Sequence, residues 1–256
     1  MQLVVFIALF GFATAANYGR RMMQEAHSDL NTELDNAQLT KKTRLHVSTH
    51  SANKTVVVAG TTLTLFCEAA GTPVPVFYWT HNGKRVQSSL ENNLVEKIYN
   101  TGHRTLQTSI THSDLVIPCA DARQAGEYKC IAVNGHQRVE KTMVVTVESS
   151  VERENACDIV EENAAPKIIQ YTESRFEAQG NSVLLMCRTN KPAQIVWYNE
   201  AHDLLNGSDR VEIMANGDLL IKTVTWEDMG VYTCVASNEH GENRVSPFLY
   251  PTSDFN

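Results

Sequence analysis

The chain has 256 residues, 43% of them apolar, and a formal net charge of −7. That length allows one or two domains with a buried core, and the acidic balance excludes the basic stripe that a nucleic-acid binder needs. Nothing in the composition suggests disorder.

The first stretch, MQLVVFIALFGFATAA, is an apolar run ending in small residues, and Ala13-Thr14-Ala15 fits an A-x-A cleavage site. Residues 1–16 are therefore predicted to be a signal peptide, although no Lys or Arg precedes the apolar run. The alternative is a membrane anchor, but the run is shorter than the ~20 residues a span needs. No later stretch is apolar enough to span, and the polar end YPTSDFN excludes a lipid-anchor tail. The expected localisation is secreted and extracellular. Residues 17–44 are polar, with mixed charge and a dibasic Arg20-Arg21, and read as a flexible extension; a trimmed pro-segment is the alternative.

The six cysteines, Cys67, Cys119, Cys130, Cys157, Cys187 and Cys234, suggest three disulfides in a secreted chain. Six cysteines allow fifteen connectivities. None has C-x-x-C spacing, which argues against a zinc site. Sequons at Asn53 and Asn206 are expected to carry glycans and so to lie on the surface.

The chain then repeats itself. LTLFCEAAGTPVPVFYWT, with Cys67 and Trp79, matches VLLMCRTNKPAQIVWYNE, with Cys187 and Trp197. SDLVIPCADARQAGEYKC, ending at Cys130, matches GDLLIKTVTWEDMGVYTC, ending at Cys234. Each copy reads Cys, Trp, Leu-x-Ile, then Gly-x-Tyr-x-Cys. A period of two puts the last groups on one face of an extended strand. A cysteine, a tryptophan about a dozen residues on, and a tyrosine two before a second cysteine describe an immunoglobulin sandwich. The fold class expected is thus all-β, two tandem immunoglobulin-like (I-set-type) sandwiches. In that fold Cys67–Cys130 and Cys187–Cys234 are the bridges between sheets, Trp79 and Trp197 pack on them, and Tyr128 and Tyr232 cap the corners. Closing loops of 63 and 47 residues stabilises by about 4 kcal/mol each in the chain-entropy model. In the Asp-x-Gly-x-Tyr-x-Cys pattern of immunoglobulin domains the acid commonly pairs with an arginine opening an earlier strand, and by that resemblance Arg210 is the candidate partner of Asp228. The first copy has Gln124 in place of that acid, so its corner is expected to lack the ion pair.

Domain 1 is placed at 45–148, an acidic linker at 149–165 and domain 2 at 166–256. From its tryptophan to its Leu-x-Ile strand, domain 1 is 14 residues longer than domain 2. The extra residues, within VQSSLENNLVEKIYNTGHRTLQTS, suggest an added edge strand or a long loop. Leu115, Ile117 and Ala120 are predicted to face inward, leaving Cys119 facing out. A third bridge, Cys119–Cys157, would then clamp the linker to domain 1; free thiols or an intermolecular link are the alternatives.

No catalytic constellation, phosphate loop or nucleophile elbow is present, so no enzyme, cofactor or metal site is expected. HVSTH holds the only close histidine pair, His46 and His50, but its β-branched residues favour a strand, with the rings some distance apart on one face. Alternation within SVLLMC and GDLLIK points Leu184, Met186 and Leu220 outward, and Phe66 and Val116 match Met186 and Leu220 in the first copy. These five form the candidate contact patch; the alternative is that the linker or the sister domain covers them.

Beyond the fold, the run NGDLLIKTVTWEDMGVYTCVASNEHGENRVSPFLYP in a short secreted double-immunoglobulin chain resembles the nematode family of secreted two-immunoglobulin-domain ("zwei-Ig") proteins. It also resembles the related insect ecdysone-inducible late protein group that binds insulin-like peptides. The resemblance covers most of residues 45–251, and the extra pair Cys119 and Cys157 looks like the nematode group. It implies a non-enzymatic protein that binds extracellular or cell-surface proteins and maintains axon position; the alternative it implies is sequestration of insulin-like peptides. Homo-association is a further possible mode.

Overall fold

The computed structural model describes residues 43–88, 94–135, 137–148 and 164–252. The expected signal peptide, nearly all of the extension, and Cys157 with most of the linker lie outside the described residues. The first half contains β1 (Arg44–Ser48), β2 (Lys54–Val58), β3 (Leu63–Leu65), β4 (Glu68–Thr72), β5 (Val76–His81), β6 (Lys84–Ser88), helix α1 (Leu94–Tyr99), β7 (Thr108–Ser113), β8 (Leu115–Ile117), β9 (Gly126–Asn134) and β10 (Gln137–Glu148). The second contains β11 (Ile168–Ala178), β12 (Val183–Leu185), β13 (Cys187–Thr189), β14 (Gln194–Tyr198), β15 (Val211–Ile213), β16 (Leu219–Ile221), β17 (Gly230–Val231), β18 (Thr233–Asn238), β19 (Gly241–Val245) and β20 (Phe248–Thr252).

Each half is a sandwich because its strands alternate. In β5, Phe77 and Trp79 are buried while their neighbours are only partly so, the period of two that a strand with one covered face requires. Asn82-Gly83 closes the β5–β6 hairpin with positive φ at both residues, the signature of a tight hairpin turn. Cys67 is bridged to Cys130 and Cys187 to Cys234. Trp79 lies opposite Cys130 in the ladder and Trp197 opposite Cys234, so each indole sits beside its sulfur pair. Both indoles are fully buried, and their N–H groups donate to Ser113 Oγ at 3.1 Å and to the Gly217 carbonyl at 2.9 Å. Leu65, Phe77, Met143 and Val145 complete the first core; Val183, Leu185, Leu219, Ile221 and Leu249 complete the second.

The corners are built alike but locked differently. Tyr128 donates to the Gln124 carbonyl at 2.8 Å and Tyr232 to the Asp228 carbonyl at 3.0 Å. In the second half Arg210 meets Asp228 at 2.5 Å. In the first, Gln124 instead accepts from the Asp121 N–H at 2.8 Å, and Asp121 pairs with Arg123. Gly230 has φ of +148°, where a side chain is strained and would run into Glu200.

The two sandwiches are not beads on a string. β7 pairs antiparallel with β11, so one sheet runs β1-β4-β7-β11-β20-β17 through both, with β13 also on β11. The extra segment of the first half explains how. The sequence suggested an added edge strand or a long loop; its first residues, Val86, Gln87 and Ser88, belong to the edge strand β6 on β5, the later described part folds as α1, and β11 pairs with β7.

The junction is polar and buried. Arg175 and Glu177 on β11 and Glu96 on α1 are all buried. Arg175 bonds Glu96, and meets Glu177 at 3.0 Å. Glu177 also accepts from the Leu106 N–H at 2.5 Å and the Gln107 N–H at 3.0 Å, and Glu96 from the Leu184 N–H at 3.1 Å. Asn100 and Ser182 exchange two further bonds at 2.8 and 2.6 Å. Burial pushes Glu96 up, opposed by Arg175. Burial alone would lower Arg175, but the two carboxylates reverse that and hold it above its ordinary value. At the same junction Asp114 donates its N–H to the Ile169 carbonyl at 2.7 Å. Burial, tempered by Lys167, pushes its carboxyl up to about 7.

Two outcomes are expected. Arg175→Ala leaves two buried carboxylates without a counter-charge, and urea denaturation should show a loss of about 3–5 kcal/mol. For Asp114 the folded value exceeds the unfolded one, so its contribution to stability is full below about pH 4 and is lost as pH rises through about 7. Asp114→Asn should therefore gain stability over the parent between pH 4 and pH 8, on the order of 2 kcal/mol, in unfolding curves taken across that range.

Candidate partner-binding face

The shared sheet has an inner side, covered by the two cores and the junction, and an outer side. On β11 the alternation is inverted relative to an ordinary strand: Arg175 and Glu177 are buried, while Ser174 and Phe176 face out and are half-buried. The register carries that outer row across the sheet. Phe176 lies beside Tyr250 on one side and Thr108 on the other, and Ser174 lies between Phe248 and Ile110. Phe176 and Phe248 pack on Tyr250 with ring centroids 5.8 and 6.5 Å away. Trp226, from the turn before β17, meets Tyr250 edge-on at 5.9 Å and is 45% exposed. Met229 is exposed beside that turn. The outcome is an aromatic cluster on a sheet braced from behind by ion pairs.

The sequence reading did not find this cluster. Its signal was present: SRFEA places charges where a core strand has apolar groups, and SPFLYP puts Phe248 and Tyr250 on either side of inward Leu249. The patch the sequence did propose is corrected by the structure. Leu184, Met186 and Leu220 are buried, because α1 lies over their side of the second sandwich. Glu96 bonds Leu184, Asn100 bonds Ser182, and the Lys222 ammonium sits 5.3 Å from the Tyr99 ring. The sister domain covers them. Phe66 is exposed and Val116 half-buried, so in the first copy the outward face stays open.

Asn53 and Asn206 are both exposed. Leu115, Ile117 and Ala120 are buried and Cys119 is not; Cys119 is disulfide-bonded, while Cys157 lies outside the described residues. No helix among the described residues is long and apolar enough to cross a membrane. Because Leu220 is fully buried on the side of its sandwich that faces away from the core, Leu220→Ala should cost about 2–5 kcal/mol, seen as a lower urea midpoint.

Set against known proteins, the chain matches the family model described as immunoglobulin domain twice, over residues 46–134 and 165–238. It is 37% identical to the Zwei Ig domain protein zig-3 of Caenorhabditis elegans over 251 residues, covering 98% of each chain. It is 28% identical to the neural/ectodermal development factor IMP-L2 of Drosophila melanogaster, covering 75% of this chain and 71% of that one. Among solved structures, that of IMP-L2 superposes with a TM-score of 0.64 at 24% identity, covering 82% of this chain and 97% of the other.

Proposed function

The chain belongs to the zwei Ig family of immunoglobulin-domain proteins, and from that premise we propose that it is secreted, non-enzymatic and works by binding an extracellular protein, maintaining axon position in the nervous system. The observation that carries the binding is the outer aromatic cluster of Phe176, Phe248, Tyr250 and Trp226. Aromatic groups deliver large contact area at low entropic cost and dominate interface energetics. A sheet that runs unbroken through both sandwiches presents them pre-ordered, which lowers the cost of association. The neural setting is supported by the similarity to the neural/ectodermal development factor.

A second reading, capture of an insulin-like peptide, draws on the likeness of the double sandwich to the IMP-L2 fold.

The test compares the parent chain with Trp226→Ala and Phe248→Ala in binding to intact neuronal surfaces and to purified insulin-like peptides. Parent binding to neurons that falls at least about tenfold in both variants, with unchanged thermal midpoints, supports the proposal. Binding that survives both substitutions overturns the face, and binding to the peptide alone replaces the axonal reading with the hormone one.

A further inference from the structure

The outer side of the shared sheet carries a second cluster, away from the aromatic one. Glu68 on β4 lies opposite His112 on β7, His112 lies opposite Tyr171 on β11, and Glu173 sits in the irregularity two residues further along β11. The ligand atoms of Glu68, His112 and Glu173 all fall within 4.8 Å of one another. His112 Nε2 is 2.5 Å from Glu173 Oε2 and 3.8 Å from Glu68 Oε2. We propose that these three residues form a zinc site that clamps the two sandwiches together, with His50 as a fourth ligand.

Four features argue for a built site. The ladder between β7 and β11 shifts register between Thr172 and Ser174, and a bulge of this kind re-aims a side chain; Glu173 is the residue it frees, and it turns onto His112. The imidazole of His112 is stacked on Tyr171, with centroids 4.5 Å apart and planes 5° from parallel, which fixes the direction of Nε2. Glu68 is oriented from behind by the Ser48 hydroxyl, which donates to Oε1 at 3.0 Å and leaves Oε2 toward the cluster, the outer-shell support that metal ligands require. Finally, His50 Nε2 is 4.0 Å from Glu68 Oε2 on a ring that is 78% exposed and able to swing inward.

The donor chemistry selects the metal. Imidazole with carboxylates and no thiolate suits zinc, whereas calcium and magnesium take oxygen alone. Donors on a tetrahedral zinc with bonds of about 2.0–2.2 Å sit about 3.4 Å apart, between the two His112 distances. His46 is excluded: it pairs with Ala70, one step along the same face. Ligands come from both sandwiches, so zinc would join them outside while Arg175 joins them inside.

The secreted full chain is titrated with zinc chloride by calorimetry and melted with and without zinc. One zinc per chain and a raised thermal midpoint are expected. Glu173→Gln, at a half-exposed position, should weaken zinc by at least about tenfold and abolish the rise while leaving the zinc-free midpoint unchanged. His112→Asn should do the same to affinity, and His46→Ala should do neither. Zinc binding that is absent, or that is unaltered by Glu173→Gln, overturns the site; unaltered affinity in His50→Ala removes the fourth ligand.

Discussion

A guanidinium held between two carboxylates, out of water, is the constraint on which this molecule turns. Arg175 lies on the strand that joins the sandwiches, and its partners come from that strand and from the helix of the opposite half. Such clusters contribute little net stability compared with a well-packed apolar core. Their effect is to make alternatives expensive. A slip of one residue between β7 and β11 would send Arg175 and Glu177 to the outer side and draw Phe176 inward, leaving Glu96 buried with no counter-charge. The register is thereby fixed, and with it everything displayed on the far side of the sheet.

That arrangement separates two jobs that ordinary strands combine. The inner row of β11 is charged and locks the junction; the outer row is aromatic and meets solvent. Ser113 shows how closely the halves are tied, since its hydroxyl accepts from the Trp79 indole of one core and from Gln170 of the joining strand.

Much of this was legible in the residues. The Cys–Trp–Tyr–Cys spacing placed both bridges, both indoles and both tyrosine corners, because those contacts lie within one sandwich and repeat twice. Asp228 with Arg210, and the substitute at Gln124, followed from the same pattern. What escaped was the contact between halves. Leu184, Met186 and Leu220 alternate as outward residues and do face away from their own core, but a local pattern cannot announce that α1 will lie upon them. Nor does spacing reveal that Glu96 and Arg175, 79 positions apart, meet. The one hint was charge inside a strand, at Arg175 and Glu177, where burial demands a partner from elsewhere.

The shared ladder also constrains how the chain is made. Synthesis runs from the amino end, so the first sandwich emerges with the edge of β7 unpaired and Glu96 lacking its cation. Both wait until β11 follows, several seconds later at ~5–20 residues per second. During that interval the open edge is a template for β11 of any neighbouring nascent copy, and the same bonds that knit one molecule would knit two by exchange.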